Sequence, residues 1–233
     1  MYAELRERAL EANLEIMRAG LVTLTFGNAS AVDRDSGVLA IKPSGVDYED
    51  LTPDAIVLVD LESGEPLDSR LRSSSDTPTH LVLYRAFDEV GGVVHTHSPY
   101  ATAWAQACRE LPCLGTTHAD HFRGAVPVTR PLAADAIADR YEAATGDAIV
   151  DALERLGLGP LEMPAALVAS HGPFAWGGDA EQAVENAIAL ETVAALAFRT
   201  ELLRGAVEPI ADDLLDRHFG RKHGPGAYYG QPR

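Results

Sequence analysis

Two histidines one residue apart, His95-Thr96-His97, close the apolar run Val93-Val94. Side chains alternate across a strand, so both imidazoles project from one face with roots about 7 Å apart, a separation that one metal ion can span. A pair at this spacing also occurs in strands that bind nothing, so further donors matter. His171 follows the apolar run 166–170 and precedes Gly172-Pro173, where a strand ends and side chains gather at a sheet edge; Asp76 stands just before a helix start. Three imidazoles and one carboxylate would fill a tetrahedral zinc site, or leave positions for substrate if the coordination expands. A second chemistry lies in Gly27-Asn28, Ser44-Gly45 and Ser73-Ser74-Ser75. Hydroxyls and exposed N–H groups at loops and helix starts bind phosphate without much positive charge. Asp120, in the polar cluster Thr116-Thr117-His118-Ala119-Asp120-His121, and the late pair Tyr228-Tyr229 could move protons. Pattern alone does not choose them over Asp139, Glu142 or His218.

These residues need elements to hold them. Leu5 to Arg18 carries apolar residues at three- and four-residue spacing and predicts a helix stopped by Gly20. Val22 to Phe26 reads as a strand followed by a turn at Gly27-Asn28. Ser30 to Val32 and Val38 to Ile41 bracket the hairpin loop Asp33-Arg34-Asp35-Ser36-Gly37, and Ile56 to Asp60 gives a further strand. Thr77-Pro78 and Ser98-Pro99 are cap-plus-proline helix starts, with the strand Gly91 to His97 between the two helices. Leu132 to Ala138, Gly146 to Leu156 and Ala180 to Leu203 predict helices, and Ala166 to Ser170 a short buried strand. The last thirty or so residues read as a helix and a Gly-punctuated tail. Helices around and between strands joined by hairpin-like turns predict one α/β domain with a largely antiparallel sheet. No Gly-x-Gly-x-x-Gly follows a strand, so a Rossmann phosphate loop is not expected.

Composition narrows the partners. The chain of 233 residues carries 19 Lys+Arg against 35 Asp+Glu, a formal charge of −16, with no basic run longer than Arg221-Lys222-His223. Nucleic acid and anionic membranes are therefore disfavoured. The N-terminus mixes charges of both signs where an export signal needs an apolar core, and no apolar stretch approaches the roughly 18 residues of a membrane span. Cys108 and Cys113 lack Cys-x-x-Cys spacing and are expected as reduced thiols, which favours a cytoplasmic location.

Several longer motifs fall in register with one family. Leu21 to Ser30 (LVTLTFGNAS), Ile41 to Val46 (IKPSGV), Ser74 to His80 (SSDTPTH), Val94 to Ser98 (VHTHS), Gly115 to Asp120 (GTTHAD), Ser170 to Phe174 (SHGPF), Arg221 to Gly224 (RKHG) and Ala227 to Gln231 (AYYGQ) closely resemble the L-ribulose-5-phosphate 4-epimerases of the class II aldolase superfamily. The resemblance runs over essentially the whole chain. It implies a single domain over residues 1–233, a central mostly antiparallel sheet flanked by helices, and a four-fold homotetramer with active sites between subunits. The tail, from about residue 220, would close a neighbouring site. By position, Asp76, His95, His97 and His171 match the metal site, holding one Zn2+ per subunit with Mn2+ or Co2+ as substitutes. Asn28, Ser44, Gly45, Ser74 and Ser75, with Gly27 and Lys42 alongside, match the substrate and phosphate contacts. Asp120 and Tyr229 match the two proton carriers, Tyr229 arriving from an adjacent subunit, and Thr116, Glu142 and His218 match secondary positions.

The implied substrate is a phosphorylated pentulose and the implied reaction a retro-aldol/aldol inversion at C4, usually in L-arabinose catabolism. A sugar-phosphate aldolase that releases its fragments is the nearest rival, but such relatives carry glutamate near Asp76 and lack the Thr-Thr-His-Ala-Asp cluster. An adducin-head-like assembly domain would lack the histidines.

Overall fold

In the computed structural model, residues 2–67, 71–224 and 226–229 are described. Six strands form one sheet: β1 (Asn28–Asp33), β2 (Val38–Ile41), β3 (Val57–Asp60), β4 (Gly92–His95), β5 (Ala165–Leu167) and β6 (Pro173–Gly177). Their order is β3-β2-β1-β4-β6-β5, and every neighbouring pair is antiparallel. The register sets Asn28 opposite His95 and His95 opposite Phe174, so three motifs that are far apart in sequence meet on adjacent strands.

Alternation sorts each strand between two apolar layers. Ala29, Ala31, Val38, Ala40, Leu58, Val94 and Ala175 pack beneath α1 (Ala3–Arg18), α3 (Pro99–Gln106) and α6 (Ala180–Arg204). Val32, Leu39, Ile41, Val57, Val93, Phe174 and Trp176 face α2 (Thr77–Ala86) and α5 (Ala134–Leu156). With apolar side chains on both faces, this antiparallel sheet is a buried middle layer, as parallel sheets usually are. By the same alternation Asn28 and His95 stand on the α2 face. The small residues on the other face let helices approach: a Cβ on Gly92 would lie 2.4 Å from the Ala180 Cα at the start of α6.

Two further helices, α4 (Thr116–Ala119) and α7 (Asp212–His223), pack on each other outside the sheet, and no residue of α7 is buried. No described helix is long and apolar enough to cross a membrane.

The predicted helices and the β1–β2 hairpin are present, with differences that have local causes. Val22 to Phe26 is not a strand: Leu24 takes φ 54° and Phe26 N–H donates to Thr23 O, so the segment turns, and strand geometry begins only at Asn28, past the expected turn. The strand expected over 91–97 ends at His95, and the one over 166–170 is 165–167. Leu132 to Ala138 and Gly146 to Leu156 belong to one long α5, broken at Arg140 (φ −155°, ψ 41°). A strand does end before Gly172-Pro173, and a further one not expected from sequence, β6, begins at Pro173, where proline is tolerated because the first residue need not donate. Helix α4 was not expected within its polar cluster.

Candidate active site

The C-terminal end of β4, the start of β1, the start of α2 and the loop before β6 converge on a cavity of about 390 Å³. It is lined by Gly27, Asn28, Lys42, Ser44, Gly45, Ser74, Ser75, Asp76, His95, His97, Glu142 and His171, all anticipated from sequence, together with Thr25, Phe26, Pro43 and Tyr141, which were not. Gly27 is forced by geometry. Its φ is +79°, and a Cβ there would sit 2.8 Å from the His95 carbonyl oxygen, so only glycine lets the chain enter β1 this close to β4.

One nitrogen from each of His95, His97 and His171 lies within 4.8 Å of the others. His95 Nε2 and His97 Nε2 are 3.1 Å apart, and the ring of His95 is gripped from behind. Its Nδ1 is 2.9 Å from Pro173 O, a contact that needs the proton on Nδ1, and Phe174 stacks on it at 4.2 Å. Burial pushes the His95 imidazole down to about 3, and it also lowers His97 and His171. The trio is thus neutral at physiological pH, with lone pairs converging, which is the donor set a divalent ion of borderline softness takes.

Asp76 lines the same cavity beside this compact trio. Asn28 Nδ2 donates to Asp76 Oδ2 at 2.7 Å and to Ser74 Oγ at 3.0 Å. Burial works to raise the Asp76 carboxyl, but the His95 and His80 imidazoles and the Asn28 bond outweigh it and hold it below the usual carboxylate range. His80, one turn along α2, is fully buried with its Nδ1 2.7 Å from Ser30 Oγ, which in turn contacts Tyr84 OH at 2.8 Å. This polar seam ties α2 to β1 under the site.

The phosphate-type loops meet on the other wall. Lys42 is buried; its ammonium donates to Val46 O at 2.7 Å and lies 4.7 Å from the Tyr48 ring centroid, which folds the 43–46 loop back over it. Ser44 and Ser75 are exposed at the mouth, whereas Ser74 Oγ already accepts from Asn28 and from Asp76 N–H. Ser74 is therefore a brace that still has its own hydroxyl proton to give.

Asp120, Thr116, His218 and Tyr229 do not line this cavity; they assemble a second cluster from α4, its capping residue Asp120, α7 and the tail at Tyr229. Arg221 grips Asp120 at both oxygens, Nε to Oδ1 at 2.9 Å and Nη2 to Oδ2 at 2.6 Å, while His218 Nδ1 stands 3.0 Å from Oδ1. Asp120 N–H donates to Thr116 O, and the Arg221 guanidinium covers the Tyr229 ring at 4.7 Å. Burial again works to raise the carboxyl, and Arg221 with His218 overcomes it, so Asp120 is held ionised. Sequence reading missed Arg221 as a site residue, although it opens the one basic run in the chain. Gly230 and Gln231 of the closing motif lie outside the described residues.

Known proteins are similar to this chain in sequence and in fold. A family described as the class II aldolase and adducin N-terminal domain matches residues 7–198. An L-ribulose-5-phosphate 4-epimerase, UlaF, from Salmonella paratyphi B is 50% identical over 228 residues, covering 98% of this chain and 99% of that protein. Its counterpart from Salmonella typhi is 49% identical with the same coverage. Among solved structures, an L-fuculose 1-phosphate aldolase superposes with a TM-score of 0.79 at 21% identity, covering 94% of this chain and 95% of its own, a likeness of fold.

Proposed function

The chain belongs to the class II aldolase and adducin N-terminal domain family, and from that premise we propose that it interconverts L-ribulose 5-phosphate and D-xylulose 5-phosphate. The observation that carries this reading is the convergence of the three histidines, Asp76 and the 27–28, 42–45 and 74–75 segments on one cavity, in a chain half identical to an epimerase along its whole length. The fragment-releasing aldolase is matched only at the level of fold.

C4 of the pentulose is not adjacent to its carbonyl, so its C–H is not acidic enough for simple removal and return; breaking and remaking C3–C4 avoids that obstacle. His95, His97 and His171, with Asp76 alongside, would hold a divalent ion, which would supply Lewis-acid stabilisation of the negative charge that develops when that bond breaks. The protein's own part begins with the phosphate, held by Ser44, Ser75, the Ser74 hydroxyl and the loop around Gly45, so that the two-carbon fragment stays in place while it turns its other face. Lys42 keeps that loop folded. Asn28 keeps Asp76 oriented. Asp120, ionised under Arg221, accepts a proton from one side and Tyr229 returns one from the other.

Neither proton carrier lines its own chain's cavity, which supports a reading in which they serve the cavity of a neighbouring copy in a homotetramer, with the α7 helix and the tail from about residue 220 at the junction. Asp120 and Tyr229 travel together in this arrangement, a refinement of the expectation that Tyr229 alone crosses over. Residues 1–233 act as one domain, with Thr116, Glu142 and His218 in supporting positions. Zn2+ suits three imidazoles, and Mn2+ or Co2+ would substitute. A cytoplasmic setting suits a phosphorylated sugar, which does not cross membranes unaided, and L-arabinose breakdown is a route that needs this step. The test is incubation of metal-replete protein with L-ribulose 5-phosphate and separation of the pentulose phosphates. D-xylulose 5-phosphate is expected; glycolaldehyde phosphate accumulating without epimer would overturn the reading.

A further inference from the structure

One phenol in the cavity has no part in the scheme above. Tyr141 Oη lies 3.3 Å from His171 Nδ1, the two rings are 6.0 Å apart and inclined by 35°, and the side chain lines the same cavity as the histidines. Its backbone is pinned on both sides. The break at Arg140 restarts helical geometry at Tyr141, Thr79 Oγ1 donates to Glu142 O at 2.6 Å, and Thr145 Oγ1 donates to Tyr141 O at 2.9 Å. Thr79 belongs to α2, the helix that begins beside Asp76. The position of the phenol is thus fixed relative to both the carboxylate and the histidines.

We infer that Tyr141 is a positioning residue for His171 and a hydrogen-bond donor to an oxygen of the bound sugar; the second half rests on the epimerase reading, the first does not. An imidazole offers a lone pair to a cation from one nitrogen only when the other carries the proton. His171 Nδ1 faces Tyr141, so Nδ1–H donates to Oη and Nε2 is left to complete the trio. His95 is oriented in the same way by Pro173 O, and outer partners of this kind set ring angle and basicity at metal sites. A phenol that accepts from His171 keeps its own hydrogen. That hydrogen has no other acceptor among the described residues, and the cavity in front of it is where a hydroxyl or carbonyl oxygen of the pentulose lies.

Tyr141→Phe removes Oη and keeps the ring. Competition of the metal-free variant with a chromophoric chelator is expected to show Zn2+ bound about 10-fold more weakly than in the wild type. The Co2+-loaded variant is expected to show an altered visible spectrum. At saturating metal, KM for L-ribulose 5-phosphate should rise several-fold. Thermal melts of the metal-free proteins check folding, and Tyr141→Leu, which keeps bulk without a ring, provides a second variant with the same expected loss. Unchanged zinc affinity and cobalt spectrum in a folded variant overturn the positioning role. Unchanged KM and kcat at saturating metal overturn the donor role. A wild-type protein that binds zinc but produces no epimer removes the epimerase reading and leaves the zinc measurements standing as the test of His171 positioning.

Discussion

The two polar regions of this chain each hold an ionised carboxylate, and they hold it by opposite means. Asp76 is stabilised from inside the fold, by the electrostatic influence of the His95 and His80 imidazoles on β4 and α2 and by an asparagine on β1, with the sheet core beneath. Asp120 is stabilised at the periphery, by a forked guanidinium and an imidazole from α7, a helix with no buried residue. The first region is built by packing, so its groups converge inward on a cavity. The second is built by charge and gathers Arg221 and Lys222, with His218 and His223 beside them, around Asp120 and His121 in an otherwise acidic chain. On the function proposed above, this cluster meets the anionic substrate seated in another copy's cavity.

The comparison predicts unequal consequences of damage. His97→Ala removes a proposed ligand from the inward region, so metal retention after gel filtration should be lost and turnover should fall on the order of 10³-fold, equivalent to several kcal/mol of charge stabilisation. Full zinc content in that variant would take His97 out of the ligand set. The sharper test mixes inactive subunits. If the two regions meet across a junction, random tetramers of His97→Ala and Asp120→Asn protomers contain about one quarter intact sites, and activity should recover to about that level. Mixing Asp120→Asn with Tyr229→Phe should recover nothing, because every α4–α7 cluster then carries one lesion. Recovery in that second mixture would separate Asp120 from Tyr229 and break the comparison.

A smaller effect isolates the charge that builds the outer region. Arg221→Met removes the main partner that keeps Asp120 ionised, leaving burial to raise the carboxyl. The acidic limb of the kcat profile should move to higher pH by about 1 to 3 units, with metal content unchanged. A profile that stays in place would mean that Asp120 is not the group seen in that limb.

How much of this was legible in the sequence follows the same divide. The inward site was legible because its residues sit at strand ends and helix starts, where motif and geometry coincide: His95 and His97 at the end of β4, Asp76 before Pro78, Gly27 where a side chain would strike His95 O. Tyr141 was not, since it lies mid-helix and is aimed by the break at Arg140, to which no local residue preference points. The segment 22–26 misled because its apolar alternation imitates a strand; Leu24 and Phe26 are exposed, and the positive φ of Leu24 turns the chain. Asp120 was legible only through resemblance, because its partner Arg221 lies about a hundred residues away and nothing local marks the pair.

The smallest predicted difference concerns acid stability, and its sign is shared by the cavity histidines, by His121 and by two further buried imidazoles, one in each region. Burial lowers His80, beneath the cavity, and His118, beneath the α4–α7 cluster, each to about 4. In the unfolded chain both return to near 6.5, so below that pH the unfolded state binds more protons than the folded one. Stability should therefore be level above about pH 6.5 and fall steadily towards pH 4, well before Asp120 or Asp76 begins to protonate. The two regions should not yield equally. His80 is enclosed by Ser30, Tyr84 and Phe174 in a layer that spans the sheet, whereas His118 depends on a single bond to Gly124 O and on the packing of a four-residue helix against α7. Hydrogen exchange measured between pH 7 and pH 4.5 should show α4 and α7 losing protection first while β1 and β4 keep theirs. His118→Asn should flatten that early loss without changing exchange in the strands; simultaneous opening of α7 and β4 would mean that the outer cluster is anchored as firmly as the cavity.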